Sequence, residues 1–343
     1  MATESSNGWE LHSIAKFREQ CEKWDRLNHK GPQSPLLTSM FVGPLLKEFG
    51  TGDEILAVCG RLDPVAMAIL QRQTQVGWET FQPSQAPLGA WMQLPEVDTE
   101  ELALSLIKTL PGFGLALGIT QLDPELVRRP KDSAALQTVD YIQTSRISIR
   151  GSFEEYWAQR GKNLRHNLKR QRNQLATRAV ECHVDAVTLP SEVAAAVAEY
   201  SRLESAGWKA ETGTAVRSDD AQGRFYTQLL QAHCAQGHGR IYRFWLGGQV
   251  VATDLCVDDG ATFVILKTSY DEAITNLSPA LLMREEYFRE LFGTGIRRIE
   301  FYGRVMDWHT KWSDETRTLY HINCYRSPLI AALQRIRRRI GAR

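Results

Sequence analysis

The chain has 343 residues, of which 43% are hydrophobic and 24% are charged. This composition is typical of a globular protein with enough apolar material for one large domain or two. The 41 basic and 40 acidic residues leave a net charge of +1, which excludes a general electrostatic attraction to nucleic acid. The six cysteines are scattered without a CxxC pair, so they favour a reducing compartment and argue against a structural zinc site.

The N-terminal segment has no basic stretch followed by an apolar run, so it does not have the pattern of a signal peptide. No stretch approaches the roughly 18 apolar residues that a membrane-spanning helix needs. We therefore expect a cytoplasmic protein.

The first half of the sequence predicts strands interrupted by a helix. Residues before about Asp53 are predicted to be helical and irregular. The apolar periodicity then predicts strands at Glu54–Cys59, Val65–Arg72, Leu88–Leu94, Gly114–Ile119 and Thr138–Ile149, and a helix at Thr99–Leu110.

The second half predicts a similar order of elements. Helices are expected at Phe153–Trp157, Lys162–Arg178, Ser191–Glu204, Asp219–Gln236, from Ser278 to about Phe292, and at Pro328–Ile340. Strands are expected at Val180–Val187, Gly239–Leu246, Gln249–Val257, Ala261–Ser269, Ile296–Tyr302 and Arg317–Cys324. Because both halves run from helices through a strand meander to a helix and further strands, we predict a mixed α/β (α+β) fold. It would have two similar lobes, each a mixed, mostly antiparallel sheet flanked by helices.

The start of the helix after Ser278 is a candidate phosphate site. Ser278 has the chemistry of an N-cap, and Pro279 suits the first helical position. Ala280 is small enough to let a ligand approach the backbone. The N–H groups of Ala280, Leu281 and Leu282 are predicted to be unpaired and to lie at the positive end of the helix dipole. The alternative is an ordinary capped helix.

The predicted strand Ile296–Tyr302 contains candidate acid–base residues. Strand alternation would place Glu300 and Tyr302 on one face, where a carboxylate and a phenol can act as base and acid. The alternative is a solvated face on which Arg298 pairs with Glu300. Lys267 stands in an apolar strand, where it either binds an acidic substrate group or extends to the surface.

Two helices are strongly basic. Between Arg160 and Arg178 there are seven Lys or Arg residues and no acidic residue, which indicates either a patch for an anionic acceptor or a solvated face. In the C-terminal helix, Leu329, Leu333, Ile336 and Ile340 form an apolar stripe among several arginines. We expect this stripe to pack on the helix's own lobe, and peripheral contact with an anionic membrane is the alternative. The stretch from Asp307 to Trp312 is predicted to be a polar and aromatic loop that borders a site.

Several segments resemble a known family when they are taken in order. The segments are Phe153–Trp157, Asn163–Arg170, Leu203–Lys209, Gly213–Ala215, the hairpin at Gly248 with Val251-Ala252, Lys267–Asp271 and Leu277–Pro279. Together they resemble the BioF2-like or CelD-like acetyltransferases of the GNAT superfamily, which are distantly related to the Fem aminoacyl transferases. The resemblance covers roughly Ser152 to Asn323. The chain departs from the family pattern at Ala280, where glycine is usual, and at Glu300-Phe301, where an Asp-Phe pattern is usual.

The resemblance implies an N-acyltransferase that uses acetyl-CoA or another acyl-CoA as donor and no metal. The acceptor would be a small-molecule or glycan-linked amine in polysaccharide or cell-envelope metabolism, with no specific nucleic acid as partner. A degenerate first lobe at 1–150, an acetyltransferase lobe at 151–325 and a basic helix at 326–343 are expected. The candidate residues are Glu300 and Tyr302 for catalysis, Ser278, Pro279, Ala280, Leu281 and Leu282 for the donor, and Trp208, Lys209, Lys267 and Tyr270 for the acceptor.

Two other functions fit the same sequence. A Fem-type aminoacyl transferase would take its donor from charged tRNA and act on a peptidoglycan precursor. A non-catalytic protein associated with polysaccharide synthesis would keep the fold without turnover.

Overall fold

The computed structural model describes residues 8–206 and 216–341, with side chains up to residue 334. The chain forms two compact units. Unit 1 contains the described residues up to Gln143 together with those from Arg317 onward, and unit 2 contains Thr144–Thr316. The domain boundaries expected from the sequence, at 150 and 325, stay a prediction.

The first half contains three α-helices, seven strands and two short 3-10 helices within its described residues. The helices are α1 (Phe17–Lys30), α2 (Ser39–Phe49) and α3 (Thr99–Thr109), and the 3-10 helices are Ile14–Lys16 and Pro35–Leu37. The strands are β1 (Trp9–Ser13), β2 (Ile55–Cys59), β3 (Ala66–Thr74), β4 (Gly77–Thr80), β5 (Trp91–Gln93), β6 (Ala116–Leu122) and β7 (Leu136–Ser148).

The described residues of the second half alternate helices with a second set of strands. The helices are α4 (Phe153–Gln159), α5 (Lys162–Thr177), α6 (Val193–Ala206), α7 (Ala221–Ala235), α8 (Pro279–Leu291), α9 (Asp307–Trp312) and α10 (Pro328–Gly341). The strands are β8 (Cys182–Val187), β9 (Gly239–Leu246), β10 (Gln249–Asp258), β11 (Thr262–Tyr270), β12 (Arg298–Glu300) and β13 (Glu315–Tyr325).

Each unit contains a mixed, mostly antiparallel sheet, so the predicted fold class is confirmed. In unit 1, β1, β2, β3 and β4 pair antiparallel in turn, β4 pairs with β6 in parallel, and β6 pairs antiparallel with β13. In unit 2, β8, β9, β10 and β11 pair antiparallel, β11 pairs with β12 in parallel, and β12 pairs antiparallel with the end of β7. The two sheets thus repeat one order of strands.

The last strand of each sheet comes from the opposite half of the sequence. β13 follows the elements of unit 2 along the chain but completes the sheet of unit 1, where Cys324 pairs with Leu117. The end of β7 follows the elements of unit 1 and completes the sheet of unit 2, where Ile147 pairs with Ile299.

Separate apolar clusters stabilise the two units. The cluster in unit 1 includes Trp9, Trp91, Leu106, Ile119 and Tyr320. The cluster in unit 2 includes Leu168 of α5, Phe263 of β11, Phe288 of α8 and Trp312 of α9. Burial of such aromatic and aliphatic side chains contributes most of the favourable free energy of folding.

The structure corrects the sequence prediction in four places. β1 and β4 were not predicted. Residues Asp307–Trp312 form the short helix α9, although a loop was predicted there. The predicted strand Ile296–Tyr302 contains only the three residues of β12.

Candidate functional site

The parallel strands β11 and β12 separate after Glu300. The two strands pair from Thr262 with Arg298 to Val264 with Glu300, where β12 ends. β11 continues to Tyr270, and its remaining part pairs with β10 on its other side. Among the described strands none pairs with the other side of this part of β11, and an unpaired strand side can bind a ligand or peptide.

A β-bulge lies directly beyond this parting. In the β10–β11 ladder, Cys256 pairs with Ile265 but Leu255 pairs with Lys267, so Leu266 is the extra residue. Bulges place a residue outside the regular ladder and are common beside active sites.

Lys267 and Glu300 lie on the same face of the sheet of unit 2. Paired residues share a face and neighbours alternate, so Val264 and Glu300 face away from Phe263 and Ile265, which pack in the core. The bulge at Leu266 shifts the alternation by one residue and returns Lys267 to the face of Val264. Glu300 is 2% exposed, so the solvated face considered as the alternative is wrong.

Tyr302 is not placed by strand alternation. It follows the end of β12 and has a φ of 46°, in the left-handed region that disfavours residues with a side chain. The derivation that put it beside Glu300 is therefore wrong, because that argument required an extended strand. Tyr302 is buried, and strained backbone of this kind is concentrated at functional sites. Its catalytic role stays a prediction.

The start of α8 is organised by a glutamine from α5. The side chain of Ser278 does not cap α8; instead, Ser278 N–H donates to Gln171 Oε1 at 2.9 Å, and Gln171 Nε2 donates to Ser278 Oγ at 3.3 Å. The N–H groups of Leu281 and Leu282 both donate to the Ser278 carbonyl, so the prediction that they are unpaired is wrong. Pro279 has no N–H to offer.

A surface cavity of about 310 Å³ lies beside this helix start. The end of α5 provides Arg178 to its wall, and the loop before α8 contributes Ala273, Ile274, Asn276 and Leu277. Leu246 at the end of β9 provides apolar surface. The volume is in the range of small-ligand clefts, and its mixture of apolar surface with one guanidinium suits an anionic, partly apolar group.

A buried ionic network occupies the core under the open half of β11. The Arg284 guanidinium binds both oxygens of Asp254, at 2.9 and 3.0 Å, and donates to Thr268 Oγ1 at 2.5 Å. The Tyr287 hydroxyl also donates to Asp254, at 2.7 Å, and Arg284 lies 4.3 Å from the ring centroid of Trp308. Burial and the neighbouring Asp254 charge raise the pKa of Tyr287, so its hydroxyl stays a donor. This network ties β10, β11, α8 and α9 together.

His309 is neutral in this setting. It is buried, stacks on Trp308 with ring centroids 3.6 Å apart, and accepts a hydrogen bond at Nδ1 from the Met306 N–H. Burial, with a further contribution from the Arg284 charge, lowers the pKa of His309 to about 4. The neutral ring therefore carries its proton on Nε2.

We expect this histidine to make the protein less stable in mild acid. The folded-state pKa of His309 lies below the ordinary value. The unfolded chain therefore binds a proton at this residue below about pH 6.5, whereas the folded chain binds it only below about pH 4. Thermal unfolding should therefore occur at lower temperature as the pH falls through this range. His309→Asn should flatten the dependence because it removes the titrating imidazole, while its Oδ1 can still accept from the Met306 N–H. Parallel pH curves for the two proteins would contradict this assignment.

The basic residues of α5 divide into paired and exposed groups. Arg160, just before the helix, pairs with Asp314, and Arg172 pairs with Glu285 and Glu286 of α8. The exposed basic residues are Lys162, Lys169, Arg170 and, after the helix end, Arg178. The helix thus packs on α8 through one face and presents positive charge on the other.

The remaining acceptor candidates are only partly placed. Tyr270 is 45% exposed at the end of β11, and Lys267 is half-buried. Trp208 and Lys209 lie outside the described residues. The sequence argument missed Asp254, Arg284 and Gln171, although a carboxylate within the apolar strand β10 and a guanidinium within α8 were the signals that could have identified the first two.

The donor and acceptor assignments stay predictions, and within the described residues no cluster of three or more His, Cys, Asp or Glu could hold a metal ion. No helix in that part of the chain is both long and apolar enough to cross a bilayer.

Comparison with known proteins identifies the fold. Residues 162–310 match the family model for the acetyltransferase (GNAT) domain. The fold is similar to that of FemX (TM-score 0.58, 10% identity, covering 94% of this chain and 99% of that one). It is also similar to the C-terminal domain of a protein described as a lysylphosphatidylglycerol synthetase from Agrobacterium fabrum (0.58, 12%, 93% and 95%). A third similar structure is L-PGS from Bacillus licheniformis (0.51, 14%, 90% and 95%).

A search of curated proteins returned no match. The structural likenesses are too low in identity to transfer a substrate, so they define the fold only. Together with the family model, they confirm the resemblance found in the sequence. Residues 162–310 thus resemble a GNAT acetyltransferase domain, and the fold of the chain is similar to that of FemX.

Proposed function

We propose that the chain is an N-acyltransferase that moves an acetyl or other acyl group from acyl-CoA to an amine, and that unit 2 performs the reaction. The observation that supports this most directly is the parting of β11 and β12 at Glu300, with the bulge at Leu266 beside it. These elements lie within the residues that match the GNAT acetyltransferase model.

In the proposed reaction, the amine nitrogen attacks the thioester carbonyl and loses a proton to the Glu300 carboxylate. The backbone of β11 near Leu266 supplies N–H donors to the oxyanion that develops on the carbonyl. Collapse of the tetrahedral intermediate breaks the carbon–sulfur bond, and the Tyr302 hydroxyl protonates the departing thiolate. Lys267, on the face of Glu300, binds an acidic group of the acceptor.

Unit 1 is a poorer candidate although its strands have the same order. The last pair of its parallel ladder joins Glu79 with Gly118, so glycine stands where unit 2 has Glu300. Beyond this pair, the Thr80 and Thr120 hydroxyls are 2.7 Å apart and Thr120 N–H donates to Thr80 Oγ1, which bridges the two chain segments. A Cβ on Gly89 would lie 2.3 Å from the Thr120 carbonyl oxygen, so the backbone at Gly89 already occupies the space beside Thr120. These contacts support the prediction of a degenerate first lobe.

We further propose that the acceptor is a small-molecule or glycan-linked amine in polysaccharide or cell-envelope metabolism, and that the reaction takes place in the cytoplasm. All six cysteines are free, as expected of a protein in a reducing compartment. The direct test is calorimetric titration with acetyl-CoA, followed by measurement of CoA release across a panel of amines. Binding without release on any amine would favour the non-catalytic alternative.

A Fem-type aminoacyl transferase is the second candidate, and one observation favours it. The N–H groups at Ser278, Leu281 and Leu282 are engaged within the protein, which weakens the case for a pyrophosphate at the start of α8. The exposed basic face of α5 would instead suit the backbone of a charged tRNA. Transfer of an amino acid from charged tRNA, with no binding of acetyl-CoA, would establish this function.

Charge reversal at two exposed positions should distinguish the two donors. Arg178 lines the cavity beside α8, whereas Lys169 lies on the exposed face of α5 and does not line that cavity. If acyl-CoA is the donor, Arg178→Glu should weaken its affinity by about 10- to 100-fold, because an attractive charge beside the phosphates becomes repulsive. Lys169→Glu should change acetyl-CoA affinity less than about threefold.

The opposite pattern is expected for tRNA. Lys169→Glu should then reduce tRNA affinity and its salt dependence, since each phosphate contact contributes to counterion release. Calorimetry with acetyl-CoA and filter binding with charged tRNA make the comparison. Equal acetyl-CoA affinity in wild type and Arg178→Glu would show that the cavity is not the donor site.

A further inference from the structure

The C-terminal helix α10 exposes an apolar stripe. Leu329 and Leu333 are 78% and 67% exposed, whereas Ala331 is fully buried. The expectation that the stripe packs on its own lobe is therefore wrong for these two leucines, because the helix turns its alanine side inward. An exposed pair of leucines one helical turn apart is costly in water and indicates an interaction surface.

The sequence of the helix continues the same stripe. In the sequence, Ile336 and Ile340 follow Leu329 and Leu333 at helical spacing. The segment 328–343 contains five arginines and no acidic residue. The helix has 14 residues, too few to cross a bilayer but enough to lie along its surface.

We propose that α10 binds the surface of an anionic lipid membrane, with Leu329 and Leu333 inserted among the acyl chains and the arginines at the headgroups. The charge argues for this occupant over a second copy of the chain. A symmetric dimer through α10 would bring ten arginines together without a compensating carboxylate in either segment. In an anionic bilayer, the acyl chains can bury the leucines while the negative headgroups directly above them pair with the arginines.

The test uses the full chain with vesicles of phosphatidylcholine alone and of phosphatidylcholine mixed with phosphatidylglycerol. We expect the protein to sediment with the anionic vesicles and far less with the neutral ones, and the bound fraction should fall as salt is added. The double substitution Leu329→Gln/Leu333→Gln should lower the partition coefficient at least about tenfold, since two leucines lose their apolar insertion.

Leu62 provides the matched control. It is 89% exposed in the turn between β2 and β3 of unit 1, so Leu62→Gln removes an exposed leucine far from α10 in the sequence. This variant should bind anionic vesicles like the wild type, and both variants should keep the wild-type unfolding temperature. Equal binding by the α10 double variant and the wild type, or no vesicle binding by the wild type, would overturn the proposal. A wild-type dimer in sedimentation velocity that dissociates in the double variant would overturn it in favour of self-association.

Discussion

Replacing Glu300 by glutamine is expected to lower kcat by about 10²–10⁴-fold while changing the acyl-CoA KM little, since it removes the proposed general base but retains the shape of the side chain. Glu300 is 2% exposed at the end of β12, where the pairing of β12 with β11 ends. Stopped-flow or steady-state CoA release measures both effects.

Glu285→Gln serves as the control for this experiment. Its carboxylate is also partly buried in unit 2, with 14% of the side chain exposed, but it pairs with Arg172 on α5. We expect a change in kcat of less than about threefold, as for most substitutions away from the reacting atoms. If Glu300→Gln turns over at the wild-type rate, the base lies elsewhere or the amine arrives already neutral.

Arg284→Leu is expected to destabilise the protein by about 3–5 kcal/mol, the cost of leaving a buried carboxylate without its partner. The Arg284 and Asp254 side chains are 2% and 0% exposed and bind through two hydrogen bonds. The double substitution Asp254→Leu/Arg284→Leu should recover most of the loss, because the interior then contains no unpaired charge. Denaturant unfolding of the three proteins gives the comparison.

An exposed pair of the same type should behave differently. Arg217 and Asp219 are 3.3 Å apart with about three quarters of each side chain exposed, so Arg217→Leu should change the free energy of unfolding by less than about 1 kcal/mol. A loss below about 1 kcal/mol for Arg284→Leu as well would mean that water or another group neutralises Asp254 in the folded protein.

The sequence predicted elements whose apolar pattern is long and regular. The hairpin at Gly247-Gly248 lies where β9 and β10 meet, and both glycines have positive φ, as a two-residue turn requires. β4 was missed because its four residues, Gly77 to Thr80, are too few to show a period. β12 was predicted too long because the apolar and polar residues continue to alternate through Tyr302, although the backbone turns after Glu300.

The site could be predicted only where one segment carried the signal. Glu300 and Lys267 stand out within their own strands, but their common face depends on a bulge that no local pattern reveals. Gln171 and Ser278 are 107 residues apart, so their mutual hydrogen bonds are invisible to helix-capping rules that consider neighbours alone. Ser278 is the N-cap residue of α8, as predicted, but its hydroxyl accepts from Gln171 Nε2 instead of from a backbone N–H of the helix.

The exchange of last strands between the two halves has a consequence for synthesis on the ribosome. Unit 2 is one continuous segment, whereas unit 1 needs β13, which follows all of unit 2 along the chain. During translation, the edge of β6 therefore stays unpaired until about nine tenths of the protein has been synthesised. Until then, Asp123 also lacks its partner Arg317. An uncovered strand edge is a template for wrong pairing, so the nascent first lobe is the part of this molecule that most needs protection by a chaperone.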